Sequence, residues 1–200
     1  MIEQVERDFQ LAGAAHYNNY AFDKALEAYE RAWEYTPQAS GELRVSIIQT
    51  LQAIGILGPQ VKGATPNLLK ELTRQDVSIR RASAQALGGI GVEARIAIDP
   101  LIKALHDEDS IVRINAVRAL GRIGPNEKAV IDALIGALKD IEPLVRENVA
   151  RALEVVKPEG KVFTALIETL KDKNQNVSIS AAGALGNISF ALQDSKETKE

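Results

Sequence analysis

Three arginines are the residues of this chain whose type and spacing best fit a chemical role. Arg80, Arg113 and Arg146 recur at intervals of 33 residues, and each follows an acidic residue by four positions, namely Asp76, Asp109 and Glu142. One hypothesis is a row of anion-binding sites. The other is structural: the acid caps a helix, and the guanidinium forms an ion pair within or between repeats. The acidic residue four positions before each arginine favours the structural hypothesis, because arginine pairs readily with carboxylates.

Residue types that support catalysis or metal binding are scarce. The chain has no cysteine, and its two histidines, His16 and His106, lie 90 positions apart. Thiol nucleophiles, zinc–thiolate sites and iron–sulfur clusters are thereby excluded. No G-x-S-x-G, G-x-x-x-x-G-K-[ST] or H-E-x-x-H motif occurs. We predict that the chain is not an enzyme and that it holds no metal and no cofactor. The acidic run at 107–109 is predicted to be a solvated turn.

Overall charge and hydropathy disfavour two classes of partner, nucleic acids and membranes. The net charge is −3 and the sequence pI is about 5.6, which disfavours a nucleic-acid partner recruited by bulk charge. The first residues are acidic, and the longest uncharged stretch, 174–193, is rich in Asn, Gln and Ser. Neither a signal peptide nor a membrane span is therefore predicted. We expect a cytoplasmic protein with no membrane partner.

An internal repeat sets the elements that position the arginines. Each unit of about 33 residues contains two apolar segments, and in the second of them apolar residues stand at i, i+4, i+7, i+8 and i+11 from Val112. This is the period of a helix. Pairs of stacked helices predict an all-α fold, an α-solenoid (alpha-alpha superhelix) of about eleven helices. The repeat is marked by leucines at spacings of 36, 33, 33 and 32 residues, at Leu51, Leu87, Leu120, Leu153 and Leu185.

Capping and turn residues agree with the helices of this repeat. Three polar residues stand where the N-cap of the second helix is expected, at Ser40, Asp76 and Asp109. Glycines predict the ends of the second helices, at Gly55, Gly91 and Gly124. Prolines fit the first turns of helices, at Pro66, Pro100 and Pro143. Small residues such as Gly121 on the second helices predict close helix packing around an aliphatic core.

The repeat resembles a known family. The pattern D-x-x-V-R-x-x-A-x-x-A-L-G-x-I-G, read from Asp109 to Gly124, is similar to the HEAT repeat and most of all to the short HEAT-like repeats of phycobilisome lyases. The resemblance covers about residues 40–189 and implies a structural role for the arginines. It also implies two alternative functions: a bilin lyase or chromophore accessory factor, and a nucleic-acid-binding protein like the HEAT-like DNA glycosylases.

The amino-terminal segment has a different pattern. Six residues fall at the spacing of one tetratricopeptide repeat, namely Gly13, Phe22, Ala25, Tyr29, Ala32 and Pro37. We predict a tetratricopeptide-like hairpin at 1–39, HEAT-like repeats at 40–191 continuous with it, and a polar tail at 192–200.

The outward face of the second helices is the predicted binding surface. In a HEAT-like solenoid these helices line the concave side, and Ile114 is expected to be exposed beside Arg118 as a mixed apolar and cationic patch. We predict a non-enzymatic interaction module or scaffold that binds a partner protein there. The predicted contact residues are Arg81, Gln85, Ile114, Arg118, Arg122, Glu147, Arg151 and, in the amino-terminal hairpin, Tyr17.

Overall fold

The computed structural model describes residues 8, 11–17, 21–35, 41–157 and 160–197. These residues form helices and turns, with no strand among them. The chain divides into two compact units, residues 1–100 and 101–200, which are described separately. The predicted all-α solenoid class is confirmed. The predicted domain boundaries at residues 39 and 191 stay a prediction.

The helices follow one another through short connections. Residues 11–17 are helical and are termed α1. The remaining α-helices are α2 (Phe22–Tyr35), α3 (Gly41–Leu57), α4 (Thr65–Glu71), α5 (Val77–Ile90), α6 (Ile98–Ala104), α7 (Ser110–Ile123), α8 (Lys128–Ala137), α9 (Pro143–Leu153), α10 (Gly160–Thr169) and α11 (Gln175–Glu197). Two 3-10 segments, Gly58–Ala64 and Gly91–Ala97, link α3 to α4 and α5 to α6. The second helices of the repeats are α3, α5, α7, α9 and α11.

Side-chain caps start two of the second helices as predicted. The Asp76 carboxylate accepts hydrogen bonds from the first backbone N–H groups of α5, and the Asp109 carboxylate does so for α7. These bonds satisfy donors that have no partner within the helix. Ser40 lies outside the described residues. Gly91 ends α5 with a φ of 68°, a conformation that glycine adopts without a Cβ clash. Gly55 is an exception: it lies within α3 and does not end it.

In the first unit, α3 and α5 pack through glycine. A Cβ built on Gly89 would lie 2.8 Å from the Cα of Gly55 and would overlap its carbonyl group. A Cβ on Gly55 would lie 3.1 Å from the Cα of Ala86. The two helix backbones therefore touch directly, which explains how a core with few aromatic rings is dense. α2 packs on α3, and α4 packs on α5.

In the second unit, the second helices form one layer and the first helices another. α9 packs between α7 and α11, while α8 and α10 pack against each other and against the second helices. The core is aliphatic and includes Val112, Leu120, Val145 and Leu153, all of which are fully buried. This arrangement places successive second helices side by side, so residues from two repeats meet on one surface.

Candidate partner-binding groove

Arg113 connects two turns of the second unit. Its Nε and Nη2 donate to the two carboxylate oxygens of Asp140 at 2.8 and 2.9 Å, and its Nη1 donates to the carbonyls of Asp107 and Glu108 at 2.9 and 3.2 Å. The side chains of Arg113 and Asp140 are each 10% exposed. All three nitrogens of the guanidinium thus bind structural partners, and little of the group remains accessible to a ligand.

Arg146 repeats this arrangement one unit later. It pairs with both carboxylate oxygens of Asp172 at 2.7 and 2.9 Å and donates to the carbonyls of Asp140 and Ile141 at 2.7 and 3.1 Å. In the first unit, Arg80 likewise donates to two carbonyls of the preceding turn. All three arginines therefore close turns, and Arg113 and Arg146 also join neighbouring repeats, which supports the structural hypothesis over a row of anion sites.

The acid that pairs with each arginine differs from the acid noted in the sequence. Asp109, four residues before Arg113, caps α7, and the ion-pair partner is Asp140, 27 residues later. A sequence signal for this pairing exists: aspartates recur at 107, 140 and 172, two residues before the cap positions. The prediction of a merely solvated turn at 107–109 is wrong, because the Asp107 carboxylate accepts a hydrogen bond from the Asp109 N–H at 2.9 Å and Asp109 caps a helix.

These ion pairs shift the pKa values of their members. Burial opposes ionisation of Asp140, but hydrogen bonds from Arg113 and from the Glu142 N–H outweigh it, so the pKa of Asp140 lies below its ordinary value. The hydrogen bond from Arg146 lowers the pKa of Asp172. The pKa values of both arginines are raised, chiefly by the hydrogen bonds to their aspartates.

A different set of arginines lines an open groove in the second unit. Arg118 and Arg122 stand one helical turn apart on α7, and Arg151 lies on α9. The groove has a volume of about 290 Å³, and its other lining residues are Gly121, Asn148, Ala152 and Val155. Three predicted contact residues are thereby brought together, because α7 and α9 lie side by side.

A buried amide orients the first of these arginines. The Arg118 Nε donates to the Asn148 Oδ1 at 2.9 Å, and the Asn148 Nδ2 donates to the carbonyl of Leu144 at 2.7 Å. Asn148 is only 5% exposed. The amide is neutral, so it orients the guanidinium without neutralising its charge. Sequence reasoning did not identify Asn148; the signal was an asparagine repeated at 33 residues, at Asn115 and Asn148.

The other two arginines differ in their surroundings. The Arg151 Nη2 lies 2.6 Å from the Glu147 Oε1, with Arg151 61% and Glu147 12% exposed at their side chains. Arg122 is exposed, and no ion pair holds it within the described residues. The predicted residue Glu147 therefore acts as a counter-ion inside the chain, and the uncompensated charge lies at Arg118 and Arg122.

The floor of the groove is made of small residues. A Cβ added to Gly121 would lie 3.4 Å from the Cβ of Ala152, an ordinary contact distance. Val155, at the rim, is 63% exposed. The arginines therefore border a base of small residues.

The expected exposure of Ile114 is wrong. Ile114 is 3% exposed. It lies four residues before Arg118 and seven before Gly121, and both of these contact α9. Residues at this spacing share one helix face, so the face that looked outward in the sequence is partly covered by the next second helix.

The remaining predicted residues lie in the first unit. On α5, Gln85 is exposed and Arg81 is half-buried. Tyr17 is half-buried and stacks edge-to-face on Phe22, with ring centroids 5.1 Å apart, which is a packing contact. Within the described part of the chain, no cluster of His, Cys, Asp and Glu could hold a metal ion. None of the helices described is both long and apolar enough to cross a bilayer.

Comparisons with known proteins give a repeat family for part of the chain and support the fold. Residues 65–154 match the family model described as HEAT repeats. A comparison with curated proteins finds no match. Among solved structures, a designed armadillo repeat protein in complex with the peptide (KR)4 is similar at a TM-score of 0.63 and 17% identity, covering 93% of this chain and 92% of that one.

Two further designed proteins have the same fold. A second designed armadillo repeat protein matches at a TM-score of 0.60 and 18% identity over 94% of this chain and 90% of its own. An engineered protein matches at 0.57 and 21% identity over 94% and 92%. At these identities the likeness concerns the fold alone.

Proposed function

We propose that this chain, whose residues 65–154 match the family model described as HEAT repeats, is a non-enzymatic interaction module that binds a partner protein. The binding surface is the outward face of the second helices. The observation that carries this proposal is the groove between α7 and α9, where Arg118, Arg122 and Arg151 surround a small-residue floor. Exposed arginine beside apolar surface is typical of protein interfaces.

The fold suits this role because its repeats hold a surface in place before a partner arrives. The helices that border the groove have fully buried core residues, including Leu120 on α7 and Leu153 on α9. Little ordering is then needed on binding, which favours affinity. The designed armadillo repeat protein with a similar fold is in complex with a peptide, which supports a peptide-binding use of such a scaffold.

The alternatives gain no support from the groove. Its seven lining residues include no aromatic ring, so it lacks the aromatic stacking platform that a tetrapyrrole or a run of bases uses. A bilin lyase and a nucleic-acid-binding protein therefore stay secondary hypotheses.

Affinity purification followed by direct binding of the purified partner tests the proposal. The variant Arg118→Glu/Arg122→Glu is expected to lose the partner. The matched control Lys128→Glu/Lys139→Glu changes the charge equally on exposed residues of α8 and the turn after it, and is expected to retain the partner. Thermal melts establish that both variants are folded. Equal partner binding by the wild type and the arginine variant would refute the proposed surface.

A further inference from the structure

We propose that the groove between α7 and α9 binds an extended acidic segment of the partner, with carboxylates at every second residue. This inference rests on the proposed function and adds the chemistry of the ligand. Three observations support it: the charge of the groove, the spacing of Arg118 and Arg122, and the free donors of Arg118.

The groove carries an excess of positive charge. Three arginines line it, and Glu147 compensates only Arg151, at 2.6 Å. Arg118 is held by a neutral amide, and Arg122 is exposed. The uncompensated charge lies on α7, so an anionic ligand gains most there, and a basic peptide such as (KR)4 is repelled.

The spacing of the two α7 arginines matches an extended peptide. Residues four apart in an α-helix are separated by about 6 Å along the axis. Alternate residues of an extended chain are separated by about 6.6 Å and point to the same side. Two acidic residues with one residue between them therefore reach Arg118 and Arg122 together, while the intervening side chain points away from the groove.

The geometry of Arg118 leaves the right donors for a carboxylate. Its Nε is occupied by Asn148, so both terminal nitrogens remain to bind carboxylate oxygens. The small residues Gly121 and Ala152 at the base allow the ligand backbone to approach, and Val155 offers an exposed apolar contact at the rim.

The test uses the full chain and four fluorescent probes in anisotropy titrations. The probes are the alternating peptide (Glu-Ser)4, its isomer (Glu-Glu-Ser-Ser)2, in which no two glutamates have exactly one residue between them, the basic peptide (Lys-Ser)4, and a short single-stranded DNA of similar length. We expect (Glu-Ser)4 to bind most tightly and (Glu-Glu-Ser-Ser)2, of equal charge and composition, to bind severalfold more weakly. Arg122→Glu is expected to weaken (Glu-Ser)4 binding by roughly tenfold, because one charge-assisted contact is lost. Lys128→Glu/Lys139→Glu is expected to leave it unchanged.

Each result decides for or against the inference. Equal affinities for the two acidic peptides would refute the alternating spacing, and insensitivity to Arg122→Glu would refute the site. Tighter groove-dependent binding of DNA than of (Glu-Ser)4 would replace the acidic peptide with a nucleic acid. If the purified partner depends on the groove but (Glu-Ser)4 does not bind, the proposed function stands and the ligand chemistry is wrong.

Discussion

Replacing Arg113 by alanine is expected to destabilise the protein, because Arg113 joins two turns through four hydrogen bonds. The change removes both bonds to Asp140 and both bonds to backbone carbonyls. It also leaves the Asp140 carboxylate, at 10% exposure, without its cation. Breaking one partner of a largely buried pair costs about 3 kcal/mol at the lower end of the known range. For a chain of this length, that loss corresponds to a fall in Tm of about 6–12 °C.

Thermal unfolding of single and double variants measures this effect. Arg113→Ala, Asp140→Ala and the double variant form a cycle, and we expect the double variant to be more stable than the sum of the two losses implies, because the second change removes the orphaned charge. Arg122→Ala, at an exposed arginine of the same helix, is the control and is expected to change stability by less than about 0.5 kcal/mol. A wild-type Tm for Arg113→Ala, or a coupling energy near zero, would show that the pair contributes nothing.

Three further predictions concern pH, glycine packing and the counter-ion in the groove. The pKa values of Asp140 and Asp172 are lowered in the folded state. Their contribution to the free energy of unfolding is therefore complete above the unfolded pKa of about 3.9 and is lost as pH falls below it. Replacing both by asparagine should flatten the fall in stability at acid pH, as measured by urea titrations. Gly89→Ala should lower the free energy of unfolding by about 1–3 kcal/mol, since its Cβ would meet the Gly55 backbone. Gly121→Ala should be neutral or slightly stabilising. Equal Tm values for the two variants would contradict the packing argument. Glu147→Gln should strengthen (Glu-Ser)4 binding by roughly threefold by releasing its arginine, and weaker binding would count against the charge argument.

Local features of the fold were predictable from the sequence because their partners are close along the chain. The caps at Asp76 and Asp109 bind N–H groups two and three residues later, and Pro143 starts α9 at its first turn. The structural use of the repeated arginines also followed from their regular spacing. The caps and the proline each depend on one helix or one turn and are therefore visible in a short window of residues.

Features that join two repeats were harder to predict. The partner of Arg113 lies 27 residues away at Asp140, and the amide that orients Arg118 lies 30 residues away at Asn148. Both contacts depend on how far one helical hairpin is shifted against the next. The burial of Ile114 has the same origin, because packing against α9 covers more of α7 than its apolar period indicates.

The sequence alone therefore determined the helices, the caps at Asp76 and Asp109 and the class of fold, since these follow from capping, helical period and repeat length. Only the tertiary structure decided which arginines are held in ion pairs and which remain available to a partner. Arg113 and Arg146 are held in ion pairs between repeats, whereas Arg118 and Arg122 border an open groove. The physical reason is that α7 and α9 pack side by side. This contact gathers Arg118, Arg122 and Arg151 around a shared surface, and the stacking of each repeat on the next holds Arg113 and Arg146 against aspartates of the following turns.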